Sequence, residues 1–195
     1  MLATIEHDVA VLRRNLGLLP EPVARPALVV VSGLPGSGKS TFSRQLAARV
    51  PLAIVESDVL RQALFPKATH SAEESNRLFT AVHRVVEDLL RDGVPVVLDA
   101  TNLQERHREH LYHIADRLRA KLVLVWAQAP DSVVQERLRH RQAGSDAEDH
   151  STADASVYQR MAPSVQRITR PHFTVDTSKD ISPVLDKIVR EIRRA

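Results

Sequence analysis

Three of the chain's six glycines, Gly33, Gly36 and Gly38, lie within six residues of one another. They follow an apolar run over residues 27–31 and lead straight into Lys39, Ser40 and Thr41, with Pro35 and Ser37 inside the turn. An apolar strand, a Gly-x-x-x-x-Gly-Lys-Ser turn and a helix-compatible stretch, in that order, form a phosphate cradle. Glycines let the backbone curl so that successive N–H groups point at one anion. The helix that follows adds the positive end of its dipole. On this reading Gly33, Pro35, Gly36, Ser37, Gly38, Lys39, Ser40 and Thr41 hold a nucleoside triphosphate. Lys39 reaches the β- and γ-phosphates, and Ser40 holds Mg²⁺.

A strand of this kind needs partners, and the rest of the chain supplies them. Apolar runs recur at 52–55, 94–98, 122–126 and, more weakly, 173–175, with helical patterns between them. Residues 2–17 place Ile5, Val9, Leu12 and Leu16 on one helical face, and Pro20, Pro22 and Pro26 make a stiff connector. The helix after the glycine loop is expected to end near Pro51. Ser71 and Glu74 have the spacing of a capping box for a helix with Leu78, Val82, Val85, Val86 and Leu89 inward, ended by Gly93. Further helices are expected at about 103–119, 131–142, 152–162 and 182–194. Alternating strands and helices predict an α/β three-layer sandwich around a five-stranded parallel sheet. The N-terminal helix and connector occupy 1–26, and one domain spans 27–195.

The composition narrows the class. The hydrophobic share of 43% and charged share of 26% suit one globular domain. A net charge of +3 suits a phosphate binder but does not by itself argue for nucleic acid. The absence of cysteine excludes disulfides, thiol catalysis and cysteine-ligated metals. No apolar run reaches membrane-spanning length, and Glu6 and Asp8 interrupt the first apolar stretch, against a secretory leader. The expectation is a cytoplasmic protein with no membrane partner.

In a parallel α/β sheet, ligands lie beyond the C-terminal ends of the strands, which directs attention to three segments. After the second strand come Asp58 and Arg61, three apart. Asp58 is placed to take a proton from a substrate hydroxyl and Arg61 to steady a phosphoryl group. The plainer alternative makes Ser57 or Asp58 a helix cap and Arg61 a surface residue. After the third strand come Asp99, Thr101 and Asn102. Asp99 is placed to orient Mg²⁺ beside Ser40, while Thr101 and Asn102 offer neutral hydrogen bonds. Alternatively Asn102 and Glu105 are a capping box. After the fourth strand, Arg137 and Arg141 share a helix face, followed by a small, acidic stretch with Gly144 as a candidate hinge. That arrangement suits a lid over about 137–155, and its alternative is a solvated charged helix. His107, His110 and His113 fan around one helix without the His-Glu-x-x-His pattern, so a structural or solvent-facing role is expected. No Asn-Lys-x-Asp box is present, which favours ATP over GTP.

Together these segments resemble the kinase domain of phage-type polynucleotide 5′-hydroxyl kinases and the related small bacterial P-loop kinases of the AAA type, over residues 27–180. The resemblance rests on the glycine loop, Asp58 with Arg61, Thr101-Asn102-Leu103, Arg137 with Arg141, Tyr158 with Met161, the set Asp149, Ser151 and Ala153, and Asp176-Thr177-Ser178. It implies a P-loop NTPase fold of the nucleoside-monophosphate-kinase type with a helical lid, using ATP and Mg²⁺. It implies that Asp58 is the general base and that Arg61, Arg137 and Arg141 assist the phosphates. It also implies an adenine site between the lid helix and the turn at Asp176 and Thr177, with Thr101 and Asn102 near the acceptor. One departure is that Ala100 stands where the phage-type enzymes carry an Asp before Thr-Asn, with Asp99 one place earlier. The acceptor expected is a small-molecule hydroxyl. A polynucleotide 5′ end is the alternative, and a nucleotide-binding switch or ATPase without a phosphorylated product is the alternative of another class.

Overall fold

A computed structural model describes residues 2–142 and 155–194. In chain order the elements are α1 (Leu2–Arg14), β1 (Ala27–Ser32), α2 (Lys39–Ala47), β2 (Ala53–Glu56), α3 (Ser57–Leu64), α4 (Ala72–Arg91) and β3 (Val96–Asp99). There follow α5 (Glu105–Leu118), β4 (Lys121–Gln128), α6 (Asp131–Gln142), α7 (Ala155–Met161), a 3₁₀ turn (Ala162–Ser164), β5 (Phe173–Asp176) and α8 (Ser182–Arg193). All five strands are parallel, in the order β2-β3-β1-β4-β5.

Alternation along β1 explains the layers. Successive side chains point to opposite faces, so Leu28 and Val30 join one core while Val29 and Val31 join the other. The first core is closed by Leu12 of α1, Leu60 of α3, Val82 and Val86 of α4, and Leu111 of α5. The second is closed by Phe42 and Leu46 of α2 and by Leu185 and Ile188 of α8. Every residue of β1 is buried, as expected for a central strand covered on both sides.

The N-terminal helix packs into the first core rather than standing apart. Leu12 is fully buried, Val9 and Leu16 lean on the same cluster, and the buried Asp8 accepts two 2.7 Å bonds from Arg77 of α4. Some boundaries depart from the sequence pattern. The helix after the glycine loop ends at Ala47, four residues before Pro51, and α1 ends at Arg14. The segment after β2 is an eight-residue helix. Of the expected lid, residues 143–154, including Gly144, Asp149, Ser151 and Ala153, lie outside the described residues. No helix among the described residues is long and apolar enough to cross a membrane.

The topology sets the site. The chain runs from β1 to the edge strand β2, then returns to place β3 between them. Asp99 at the end of β3 is therefore in register with Val31 of β1 on one side and Glu56 of β2 on the other. The loops after these three strands open into one space.

Candidate active site

That space is a cavity of about 1090 Å³, walled by Lys39, Ser40, Asp58, Asp99, Arg137 and Arg141, among others. On one side is the glycine loop. Gly33 lies so close to β4 that a Cβ there would come within 2.4 Å of the Ala127 carbonyl oxygen. Gly38 caps α2 with φ 82°, and a Cβ on it would lie 2.8 Å from Thr177 Oγ1 and 3.1 Å from Arg137 Nη1. The loop needs glycine at both places, one for close approach and one for left-handed backbone.

Arg137 and Thr177 fasten this loop from outside. Arg137 Nη1 donates to the Gly36 carbonyl at 3.2 Å and to Thr177 Oγ1 at 2.9 Å, and Nη2 donates to the Thr177 carbonyl at 2.8 Å. Thr177 Oγ1 in turn donates to the Ser37 carbonyl at 2.8 Å. Lys39, the first residue of α2, donates from Nζ to the Leu34 carbonyl at 3.0 Å. Pro35, Gly36, Gly38, Ser40 and Thr41 line the cavity, whereas Gly33 and Ser37 act from behind it. Asp176 departs from the expectation of a nucleotide contact. Its Oδ1 accepts from the Ser178 N–H and hydroxyl and its Oδ2 pairs with Lys179 at 3.2 Å, so the carboxylate shapes the turn that presents Thr177.

Across the cavity, Asp58 is the second residue of α3 and Arg61 lies one turn on. The cap of α3 is Glu56, without a side-chain bond, so neither Ser57 nor Asp58 serves as the cap. Arg61 is not a free cation aimed at a phosphate. It is buried, and its Nη1 donates to Glu74 Oε1 at 2.5 Å. Glu74 forms only half of the expected capping box. Its N–H donates to Ser71 Oγ at 3.1 Å, but its carboxylate accepts from Thr69 N–H, Thr69 Oγ1 and His70 N–H at 2.7, 3.0 and 3.3 Å. Burial opposes the charge on Glu74, but the Thr69 and Arg61 hydrogen bonds and the Arg61 charge outweigh it and hold the carboxyl at about 2.

Asp99 is 3% exposed, and its Oδ2 has no hydrogen-bond partner. Burial pushes its carboxyl above the ordinary range, opposed by the Lys39 charge and a hydrogen bond from Ser40, while Asp58 nearby adds to the rise. Thr101 accepts from Gly33 N–H at 3.1 Å through its carbonyl, tying the β3 loop to the glycine loop. Asn102 is not a helix cap, because α5 is capped by Gln104. Its Nδ2 donates to the Val31 carbonyl at 3.2 Å, which holds it in a left-handed conformation with φ 44°. No local pattern points to Arg108. This fully buried guanidinium donates to Glu105, to the Asn102 carbonyl, and to the Gln166 and Arg167 carbonyls. It fixes the Asn102 loop from beneath. His107 lines the cavity, His110 stacks on His83 with ring centroids 4.7 Å apart, and His113 is exposed.

The chain is 28% identical over 115 residues to an L-seryl-tRNA(Sec) kinase of Methanococcus maripaludis, covering 56% of this chain and 44% of that protein. It is 35% identical over 117 residues to a shikimate kinase of Bradyrhizobium diazoefficiens, covering 58% and 54%. The chain thus spans about half the length of the curated relatives it matches. In fold it resembles the Mycobacterium tuberculosis APS kinase solved with AMPPNP and APS. The TM-score is 0.64 at 20% identity, covering 89% of this chain and 99% of that one. A family model described as an AAA domain matches residues 28–168, a span that takes in the glycine loop, Asp58, Asp99 and Arg137. By that match the chain belongs to the AAA domain family.

Proposed function

We propose that the protein is an ATP- and Mg²⁺-dependent kinase that transfers the γ-phosphoryl group to a hydroxyl of a small molecule. The observation that carries this is the sharing of one cavity by the glycine loop and by Asp58, which reaches it from a separate strand end. An ATPase needs the first alone, and a kinase needs both. The named kinase relatives support the same reaction class.

The loop N–H groups and Lys39 hold the β- and γ-phosphates. The Ser40 hydroxyl and the unpartnered Asp99 Oδ2 are oxygen donors of the kind Mg²⁺ takes. Bound there, Mg²⁺ would neutralise phosphate charge. Asp58 accepts the proton of the acceptor hydroxyl as its oxygen bonds to the γ-phosphorus. The bond from that phosphorus to the β-bridging oxygen breaks, and ADP leaves with its electrons. Arg137 and Arg141 supply guanidinium charge to the phosphoryl in transit, and Arg61 does so from its seat on Glu74. Thr101 and Asn102 border the acceptor, and Thr177 borders the nucleotide. Residues 27–195 form the kinase domain, with the lid over about 137–155.

A second groove, between α1, α4 and α5, bears on the polynucleotide alternative. Its Arg13 and Arg84 lie among Glu6, Glu87 and Asp88, with Arg106 on the border it shares with the main cavity. A surface of balanced charge is not a track for a phosphate backbone, which favours the small-molecule acceptor. The test is Asp58→Asn. ATP binding is expected to persist while transfer falls about 10²–10⁴-fold, the scale of a general base. ATP turnover that is unchanged, with label appearing only as free phosphate, would instead identify a nucleotide switch or ATPase.

A further inference from the structure

The charges lining the main cavity are not all accounted for by a triphosphate. Its lysines and arginines outnumber its aspartates and glutamates two to one. Lys39, Arg137 and Arg141 face the donor. Arg44 lies 3.9 Å from Glu56, Arg61 is paired with Glu74, and Lys179 with Asp176. Two cations are left, Arg106 in the first turn of α5 and Arg160 near the end of α7. Among the described residues neither guanidinium makes a hydrogen bond or an ion pair. The acids left on the cavity wall are Asp58 and Asp99, taken up by the reaction and the metal, and Glu136, which is on the α6 side and faces His140 at 3.9 Å.

Two guanidinium groups brought from different helices into one concave wall, with no ion-pair partner among the described residues, create a positive field that a ligand relieves. A guanidinium fork matches the two oxygens of a carboxylate or phosphate. Resting on the kinase reading, we propose that the acceptor carries, besides its hydroxyl, an anionic group bound by Arg106 and Arg160. Carboxylate and phosphate share this chemistry. Anchoring one end of the acceptor orients the hydroxyl at the other end towards Asp58.

The test uses the whole chain with γ-labelled ATP and Mg²⁺. Small hydroxy carboxylates and hydroxyl-bearing phosphate monoesters are each offered beside an uncharged analogue, the amide for the first and the parent diol for the second. A charged acceptor is expected to be labelled with kcat/KM at least about tenfold above its analogue, and the two arms tell carboxylate from phosphate. Arg106→Gln and Arg160→Gln are each expected to raise the KM of that acceptor about tenfold while ATP affinity stays the same, which also shows that the variants fold. Equal use of the uncharged analogue, or an unchanged acceptor KM in both variants, overturns the proposal. A readout without turnover separates this from the kinase reading. The charged acceptor alone is expected to raise the melting temperature of the wild type but not of the double variant. That shift without any labelled product would uphold the anion site and sink the kinase reading. Neither shift nor label from any charged compound would sink the anion site.

Discussion

On the proposed kinase reading the cavity has a donor wall and an acceptor wall, and they differ in what they present. The donor wall presents mostly main chain, clasped from outside by side chains. Gly33 N–H meets the Thr101 carbonyl, and Arg137 and Thr177 grip the carbonyls of Gly36 and Ser37. The acceptor wall is held by side chains reaching between elements. Arg61 of α3 meets Glu74 of α4, and Glu74 also ties down Thr69 and His70, the latter with φ 56°. A triphosphate presents the same oxygens wherever it is bound, so a cradle of backbone N–H groups serves it whatever the neighbouring side chains. An acceptor has its own shape, and a wall built from side chains can be altered one residue at a time. The difference implies that damage to the donor wall stops turnover, whereas damage to the acceptor wall changes what is turned over and how well.

The sharpest break in that contrast comes at Lys39. Lys39→Ala removes the one side-chain charge the loop itself provides, and nothing in the surrounding main chain replaces it. ATP turnover is expected to fall by about 10²–10³-fold or more, measured as ADP release at saturating nucleotide. Near-normal turnover would mean that the backbone cradle suffices and that the donor wall has been misassigned.

Glu74→Gln probes the other wall. The shape is kept, but Arg61 loses its counter-ion while both stay buried, with side chains 10% and 7% exposed. The expected cost is about 1–3 kcal/mol, seen as a melting temperature lower by several degrees, together with a raised acceptor KM and unchanged ATP affinity. Because the folded carboxyl sits at about 2, below its ordinary value of 4.5, the unfolded chain takes up the proton first. The stabilisation is therefore complete above about pH 4.5 and is lost as pH falls towards 2. The variant's stability should lack this dependence. An ATP affinity that falls along with acceptor use would show that the two walls are one unit.

The donor wall was more legible in sequence than the acceptor wall, for the same reason. The phosphate loop is contiguous, and its physics is written in glycines beside Lys39 and Ser40. Asp58 and Asp99 could be singled out because parallel sheets place ligands at strand ends. The Arg137–Thr177 clasp joins residues 40 apart and the Arg61–Glu74 pair residues 13 apart. Neither pairing has a local signal. Glu74 carried a good capping pattern and was pulled from it by a stronger charged partner. Arg108 looks like one more solvated charge in a run of charged residues, yet it is fully buried because four oxygens converge on it. Asn102 offered a cap and a substrate contact equally well, and only the fold showed that its amide is spent on β1.

Acid is expected to reach the acceptor wall first. His83 of α4 is buried beside Phe79, a residue of the cavity wall, and stacks on His110 of α5. Its Nε2 has no partner. Burial, followed by repulsion from His110 and His107, lowers its imidazole to about 4 from the ordinary 6.5. Glu6, Glu87 and Asp88 share its groove with Arg13, Arg84 and Arg106, so no one-sided charge offsets that shift. The folded protein therefore keeps His83 neutral while the unfolded chain protonates it from about pH 6.5 downwards. Stability is full above that pH and declines as pH falls to about 4, with a slope of at most about 1.4 kcal/mol per pH unit from this group. His83→Gln should flatten the decline over that window when denaturant midpoints are compared at pH 7, 6, 5 and 4.5. Hydrogen exchange separates the two walls under the same conditions. Amides of α4 and α5 should lose protection between pH 6.5 and 5, ahead of those of β1 and α2. Equal loss in all four elements would mean that the histidine stack is felt by the whole fold, and the contrast between the walls would then be one of chemistry and not of stability.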